Sequence, residues 1–213
     1  MAKSYLDIKV RTIAVDGKFD ERADVPIRDL IGCAKAILVV NVASKWGYTQ
    51  NDYEQIVELE KKYGVLLHVI LVPCNQFAEE EPDSEPQIVE FASQFGFSGT
   101  IIGKTEVKGD GKHELYKWFA EPEQTNFKDH EPSWNFAKYL LNRDGPFLYY
   151  APDCPPLNFS ETIKLIVESW DREEVKLQVE VQSEIRNRPN LYDIAGSELI
   201  EILSWLNCIW FGT

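Results

Sequence analysis

The strongest hydrophobic pattern in the chain is a continuous apolar run over residues 36–42, which is rich in β-branched side chains. Such a run predicts a strand buried on both faces, as strands of parallel sheets are. Residues 51–63 follow with apolar side chains at helical spacing and Gly64 as a stop, and residues 66–72 form a second apolar run. The three segments predict a strand–helix–strand unit with a parallel pair and a right-handed crossover.

The later elements follow the same kind of pattern. Strands interleaved with helices, ending in a hairpin and a helix, predict a thioredoxin-like α/β sandwich over residues 1–170. In chain order, these elements are a capped helix from Ser84, a short helix at 113–119, a hairpin of 136–141 with 147–150, and a last helix from Ser160 to Trp170.

Residues 171–213 lie outside this pattern and are predicted to form a C-terminal extension. Residues 175–182 alternate apolar and polar side chains, which predicts a half-buried strand. A helix predicted after Ser197 is too apolar to be solvated, so we expect it to dock on a protein partner. The alternative is that the extension packs on its own domain. The expected partner-binding residues are Trp205, Leu206, Ile209 and Trp210.

Charge narrows the classes of partner. Lys and Arg number 22 against 35 Asp and Glu, a net charge of -13, which argues against nucleic acid or an anionic membrane as the main partner. No apolar run reaches the roughly 18 residues of a membrane span. The N-terminal residues lack a signal-peptide core. We therefore expect a cytoplasmic protein, in a cytoskeletal or other large assembly.

The cysteines and histidines predict neither a metal site nor a disulfide framework. The chain has four cysteines without CxxC spacing and three histidines that lie far apart. No metal or other cofactor is expected. Each cysteine is expected to be a small packed side chain.

Three separated motifs carry a family resemblance. Residues 41–49 have the sequence Asn-Val-Ala-Ser-Lys-Trp-Gly-Tyr-Thr, residues 71–77 have Leu-Val-Pro-Cys-Asn-Gln-Phe, and residues 134–140 have Trp-Asn-Phe-Ala-Lys-Tyr-Leu. In order and separation they resemble the glutathione peroxidase family. The resemblance implies reduction of hydroperoxides by a thiolate or selenolate, which a thiol such as glutathione or thioredoxin then restores.

The chain departs from the family at the positions that carry this chemistry. Trp46 stands at the family's nucleophile position, and an indole cannot form a sulfenic or selenenic acid. Glu80 stands at the family's Gln position, where a carboxylate would raise the pKa of a neighbouring thiol. Trp134 and Asn135 are retained, either as donors near the reacting atom or for packing alone.

Other positions bear on the same question. Ser93 stands where thioredoxin-dependent members carry a resolving Cys, and Tyr149 where many members carry an Arg. Cys74 is expected to be a packed side chain at a strand end; the alternative is a substitute nucleophile. Residues 79–81 are three consecutive Glu, expected to be a solvated loop.

The sequence therefore predicts a glutathione peroxidase-like protein that has lost peroxidase activity and serves as a structural or binding subunit of a larger assembly. An alternative is an active peroxidase, if position 46 is a selenocysteine whose codon was translated as Trp. A third reading is a binder of peroxides or thiols that uses the old pocket. The segment from Ala120 to Ser133 is shorter than the insertion of tetrameric members, so no homotetramer of that type is expected.

Overall fold

The fold is a mixed β-sheet covered by helices on both faces, and the computed structural model describes residues 4–16, 18–121, 131–145 and 147–168. The strands are β1 (Lys9–Val15), β2 (Lys18–Pro26), β3 (Ala36–Val42), β4 (Leu67–Pro73), β5 (Thr100–Ile102), β6 (Lys138–Asn142) and β7 (Phe147–Tyr150). The helices are α1 (Ile27–Leu30), α2 (Thr49–Tyr63), α3 (Glu85–Gln94), α4 (Glu114–Ala120) and α5 (Ser160–Glu168). Short 3-10 turns lie at Tyr5–Asp7, Gly64–Leu66 and Pro156–Phe159.

The sheet order is β2-β1-β5-β4-β3-β6-β7, with β3, β4 and β5 parallel and the other pairs antiparallel. All side chains of β3 are buried, as its unbroken apolar sequence predicts. Its register with β4 runs from Ala36 opposite Leu67 to Val42 opposite Pro73. The predicted strand–helix–strand unit is therefore confirmed. Because the two strands end side by side, the loops that follow them meet at one edge of the sheet.

The core lies in two layers, one on each face of the sheet. Alternate residues of a strand point to opposite faces, and in β3 Leu38 and Val40 enter one layer while Ile37 and Val39 enter the other. Helices α2, α3 and α5 cover the first layer, and α1 and α4 cover the second. This arrangement is the predicted α/β sandwich.

Helix α5 is tied to the rest of the domain at both ends. Tyr63 Oη donates to the Ser160 carbonyl at 2.6 Å, and Lys62 Nζ donates to Ser160 Oγ at 2.7 Å. Near the other end, Lys35 Nζ donates to the Val167 carbonyl at 2.9 Å. The last described helix is therefore held by α2 and by the segment that precedes β3.

Several predicted boundaries were wrong by a few residues. Helix α2 begins at Thr49 instead of residue 51, and β4 runs from Leu67 to Pro73 instead of from residue 66 to residue 72. Strand β6 begins at Lys138 because Phe136 has a φ of 61°, which is incompatible with an extended strand. Strands β1, β2 and β5 were not predicted.

The predicted strand and helix of the extension, and the proposed boundary after residue 170, lie outside the described residues. None of the described helices combines the length and hydropathy needed to cross a bilayer.

Candidate functional site

Trp46 lies in the turn between the end of β3 and the start of α2. Thr49 Oγ1 donates to the Ala43 carbonyl at 2.6 Å, and the Thr49 N–H donates to the Trp46 carbonyl at 3.1 Å. These bonds fix the turn, so residue 46 stands just before the N-terminus of a 15-residue helix. A helix N-terminus stabilises negative charge, the setting in which a nucleophilic thiolate is favoured.

The Trp46 indole packs within a group of aromatic rings. It stacks on Phe136 with 5.2 Å between ring centroids and an interplanar angle of 22°. It also meets Tyr48 edge-on at 5.1 Å, and Tyr48 is 66% exposed. The indole therefore supplies packing between this turn and the segment before β6. It supplies no atom that ionises near neutral pH.

Glu80 lies in the loop after β4, against the turn that follows β3. The Lys45 N–H donates to the Glu80 carbonyl at 3.0 Å, and the Glu80 N–H donates to the Phe77 carbonyl at 3.2 Å. Ala78 and Glu79 have φ values of 50° and 56°. The loop thus turns sharply and returns to the end of β3.

Asn135 joins the segment before β6 to this loop. It is fully buried, and its Nδ2 donates to Glu80 Oε2 at 2.6 Å. Asn41 of β3 holds the backbone on either side: its Nδ2 donates to the Trp134 carbonyl at 3.0 Å, and the Phe136 N–H donates to the Asn41 carbonyl at 2.6 Å. Asn41 therefore positions both neighbours of Asn135, Trp134 through its side chain and Phe136 through its backbone carbonyl.

The Trp134 ring packs against Phe77 with 5.7 Å between centroids and is 40% exposed. The structure thus brings together the four positions named from the sequence, which are Trp46, Glu80, Trp134 and Asn135. The roles of these residues in binding or catalysis stay predictions.

Cys74 is a packed residue at the end of β4, which confirms the main expectation for it. Its side chain is fully buried, and its N–H donates to the Val42 carbonyl at 3.1 Å. The Gln76 N–H donates to Cys74 Sγ at 3.5 Å. Burial raises the pKa of the Cys74 thiol, with backbone donors opposing in part. A buried thiol with a raised pKa is a poor nucleophile.

The other described cysteines lie elsewhere. Cys33 is exposed, with its Sγ 3.7 Å from the Val65 carbonyl, and precedes β3 at the end opposite Trp46, roughly 20 Å along the strand. Cys154 is partly buried, and burial raises the pKa of its thiol.

Ser93 and Tyr149 have structural surroundings that explain them without catalysis. Ser93 is exposed near the end of α3, and its Oγ donates to the Glu90 carbonyl at 2.6 Å. Tyr149 is buried in β7, with its ring 5.2 Å from that of Tyr139. The Ser93 side chain cannot act as a resolving thiol, and the Tyr149 side chain does not carry the positive charge of an Arg.

Glu81 corrects the expectation that residues 79–81 form a solvated loop. Its side chain is fully buried, and Ser44 Oγ donates to Glu81 Oε1 at 2.7 Å. The Glu81 N–H donates to Asn75 Oδ1 at 2.9 Å. Burial raises the pKa of the Glu81 carboxyl to about 7, with the Ser44 bond opposing in part. Sequence reasoning missed this residue because nothing in a run of acids marks the one that faces a serine two residues before Trp46.

The lysine side chains that contact this loop are bonded to residues other than Glu80. Lys45 Nζ pairs with Asp83 at 2.6 Å, and Lys104 Nζ donates to the carbonyls of Glu81 at 2.8 Å and Asp83 at 2.6 Å. Within the described ranges no salt bridge involves Glu80. The ammonium groups of Lys45 and Lys104 are therefore bonded to residues other than Glu80.

No cluster of three His, Cys, Asp or Glu side chains that could hold a metal ion occurs among the described residues. The expectation of no metal or other cofactor stays a prediction.

Comparison with known proteins bears on the family. The family model for glutathione peroxidase matches residues 15–120. Glutathione peroxidase 1 of Caenorhabditis elegans is 39% identical over 146 residues, which are 66% of this chain and 86% of the relative. The chain belongs to the glutathione peroxidase family. The resemblance seen in its three motifs is thereby confirmed.

Two further matches show how much of each chain is shared and which fold this chain has. A probable phospholipid hydroperoxide glutathione peroxidase 6, mitochondrial, from Arabidopsis thaliana is 35% identical over 136 residues, and the match covers 62% of this chain and 58% of the relative. A crystal structure described as Trgpx in its apo form is 29% identical, with a TM-score of 0.56 over 79% of this chain and 98% of that one. The predicted thioredoxin-like fold is therefore confirmed for a glutathione peroxidase domain.

The predicted docking residues of the extension lie outside the described residues, as does most of the segment between Ala120 and Ser133. Trp205, Leu206, Ile209 and Trp210 therefore stay predictions, and so does the absence of a homotetramer.

Proposed function

We propose that this member of the glutathione peroxidase family does not reduce peroxides and serves as a binding or structural subunit of a protein assembly in the cytoplasm. The observation that carries the proposal is the Trp46 indole, which stacks on Phe136 at the family's nucleophile position. Peroxide reduction begins when a thiolate or selenolate attacks the peroxide oxygen. An indole has no such lone-pair nucleophile.

The surroundings of residue 46 support the same proposal. Glu80 binds Asn135 at 2.6 Å, so the amide that the family resemblance assigns to the reacting atom is engaged by a carboxylate. A carboxylate also disfavours a neighbouring thiolate. Cys74 is buried, and we infer that it does not substitute.

The test of inactivity uses the full chain with Trp46 verified by intact-mass spectrometry. We expect no turnover of hydrogen peroxide or a lipid hydroperoxide above background with glutathione or thioredoxin. Trp46→Cys and Trp46→Ser form a matched pair, since the two side chains are similar in size and only one carries a thiol. Clear turnover by the verified Trp46 protein would overturn the proposal.

A second candidate is an active peroxidase with selenocysteine at position 46. It is favoured by Trp134 and Asn135, which are retained and directly precede Phe136, the ring on which residue 46 stacks. Intact-mass spectrometry of protein from its native source separates the two, because tryptophan and selenocysteine differ in mass and selenium has a distinctive isotope pattern. Glu80 opposes this candidate, because its substitution is a separate departure from the family.

The assembly part of the proposal rests on the apolar C-terminal extension, whose length exceeds what the family domain needs. Its test is the size at which the native protein elutes from a gentle extract. Elution at the mass of one chain would contradict it.

A further inference from the structure

The loop between β4 and α3 lies against the turn that carries Trp46, and we call its residues 75–84 the strap. Polar contacts join the strap to this turn. The Lys45 N–H donates to the Glu80 carbonyl at 3.0 Å, and Lys45 Nζ pairs with Asp83 at 2.6 Å. Where polar groups hold two segments together, a change in the charge of one buried member changes how firmly the segments are held.

A further contact between the strap and the turn involves a buried acid. Glu81 is fully buried, and its Oε1 accepts a hydrogen bond from Ser44 Oγ at 2.7 Å. Its Oε2 has no hydrogen-bond partner among the described residues, and neither has the Oη of Tyr53, a fully buried residue of α2. A neutral carboxyl is tolerated in such a place, whereas a carboxylate there is a buried charge with too few donors.

The charged groups around Glu81 do not remove this penalty. Burial has the largest effect and raises the pKa of the Glu81 carboxyl from 4.5 to about 7; the Ser44 bond and the charge of Lys104 lower it, and the charge of Asp83 raises it. The Lys104 ammonium donates to the backbone carbonyls of Glu81 and Asp83. Burial, and after it the charge of Glu81, raise the pKa of Tyr53, so the phenol stays neutral beside the acid.

We infer that the strap is a pH-sensitive cover, which stays closed on the Trp46 turn while Glu81 is neutral and opens locally when Glu81 ionises. Opening brings the carboxylate into water, where it is no longer penalised. Both ends of the strap are anchored independently of Glu81. The Cys74 N–H donates to the Val42 carbonyl at 3.1 Å, and Ser84 forms the capping box of α3.

Opening of the strap uncovers the substituted site. Glu80 accepts from Asn135 Nδ2 at 2.6 Å, and the Phe77 ring packs on Trp134 at 5.7 Å between centroids. Both contacts join the strap to the segment before β6, so they separate when the strap lifts. The inference goes beyond the proposed function and does not depend on whether residue 46 reacts with peroxides.

The direction of the pH effect follows from proton linkage. The closed strap holds the proton of Glu81 up to about pH 7, whereas the open strap releases it near 4.5. The ratio of closed to open strap therefore falls with pH between these values, by up to about 300-fold in all, and is level above about pH 7.

The test is amide hydrogen exchange of the full chain, followed by NMR between about pH 5 and about pH 8. Each rate is compared with that of an unstructured peptide at the same pH. Protection of the Lys45 N–H, which donates to Glu80, should fall by up to about 100-fold over this range. The Thr49 N–H donates to the Trp46 carbonyl within the turn, so its protection should change far less.

Three variants make the test specific. Glu81→Gln still accepts from Ser44 but cannot ionise, so protection of the Lys45 N–H should no longer depend on pH. Glu60→Gln is the matched control, because burial raises the pKa of Glu60 to about 7 as well, near the other end of α2. It should leave the wild-type pH dependence at Lys45 unchanged. Ser44→Ala removes a donor that favours the ionised acid, so the fall should extend above about pH 7.

Urea separates local opening from global unfolding. Exchange through the open strap should depend weakly on low urea, because a local opening exposes little surface. PH-independent protection of the Lys45 N–H would overturn the inference. A urea slope at Lys45 equal to that of the most protected amides of β3 would overturn it as well, because Glu81 would then act only on global stability. If Glu81→Gln does not fold, the opposite expectations for Ser44→Ala and Glu60→Gln still decide the question.

Discussion

At the scale of single residues, Trp46 changes what its position can do. In place of a small ionisable side chain it puts a ring that stacks on Phe136 at 5.2 Å. An aromatic pair of this kind contributes about 0.5–1.5 kcal/mol beyond the area that it buries. Residue 46 therefore contributes to stability in the folded domain. Replacing Trp46 by Cys would restore a thiol but lose this aromatic packing, and Glu80 determines how reactive the new thiol is.

The first prediction concerns that coupling between positions 46 and 80. Trp46→Cys alone should give little turnover, because the Glu80 carboxylate raises the pKa of the new thiol. Trp46→Cys combined with Glu80→Gln should lower that pKa by about 1 unit and raise activity by more than the sum of the single changes. The pKa is measured from the pH dependence of thiol alkylation. Glu79→Gln in the Trp46→Cys background is the control, and an equal effect there would refute the coupling.

The second prediction follows from the buried Glu81. Its pKa is raised from 4.5 to about 7 in the folded protein by burial. Between these values the folded state holds more protons than the unfolded state, so stability falls as pH rises from about 4.5 to about 7 and then levels off. Glu81→Gln should remove up to about 3 kcal/mol of this loss.

The measurement is the urea midpoint at about pH 5 and about pH 8, where the second value should rise in Glu81→Gln and the first should change little. Glu60, whose pKa burial also raises to about 7, keeps part of the slope in both proteins. Glu79→Gln, at an exposed position, serves as the control. Parallel pH profiles of wild type and Glu81→Gln would contradict the assignment.

At the scale of elements, a buried lysine joins three of them. Lys138 at the start of β6 is fully buried, and its Nζ donates to the carbonyls of Pro152 at 3.0 Å and Cys154 at 2.8 Å. Its Nζ also lies 3.4 Å from Asp52 Oδ2 in α2. Burial lowers the pKa of Lys138 and raises that of Asp52, each against the pull of its partner. The pair connects α2, β6 and the loop before α5.

The third prediction is that breaking this pair is costly. Lys138→Met should lower the free energy of unfolding by about 3–5 kcal/mol, because Asp52 and two carbonyls lose their buried donor. Adding Asp52→Asn should recover part of the loss, because the remaining side chain is neutral. Denaturant unfolding of the full double-mutant cycle measures both effects. Lys117→Met, at an exposed position, is the control, and additive losses in the cycle would argue against the coupling.

The elements that could be predicted are those whose buried positions form a pattern within a short segment of sequence. An unbroken apolar run predicts strand β3. A stripe of apolar side chains at helical spacing, which ends at Gly64, predicts helix α2. Strand β2 is largely exposed and shows no alternation, and β5 has three residues, so neither has a readable period. They exist because neighbouring strands supply hydrogen-bond partners, which is tertiary information.

The same distinction holds for the site. The positions of Trp46, Glu80, Trp134 and Asn135 could be named from motifs. The bond between Asn135 and Glu80, and the burial of Glu81 under Ser44, depend on loops that meet only in the folded sheet. No local pattern encodes which glutamate of three turns inward.

At the scale of the whole molecule, the described residues form one sheet with a core layer on each face. Among the described residues, both core layers lie within 5–167, and β2 and β7 are the edge strands of the sheet. A further 43 residues follow Trp170.

The fourth prediction separates folding from assembly. A chain ended after Trp170 should keep a cooperative urea transition, because every described core residue is present. It should no longer enter the large complex proposed for the full chain, as judged by size-exclusion of native extracts. Trp205→Ser with Trp210→Ser in the full chain is the matched control for length. Loss of the cooperative transition, or normal incorporation, would count against docking by the extension.

The way in which α5 is held has a mechanical consequence. If the extension is the tether to a larger structure, tension enters the domain at the end of α5, beside Val167. The bond from Lys35 to Val167 and the bonds from Lys62 and Tyr63 to Ser160 pass that load to α2 and to the start of β3, an interior strand of the sheet. Pulling would therefore load α2 and β3 through these bonds, and the edge strand β7 through the bond that Tyr150 Oη donates to Thr162 Oγ1 of α5 at 3.1 Å.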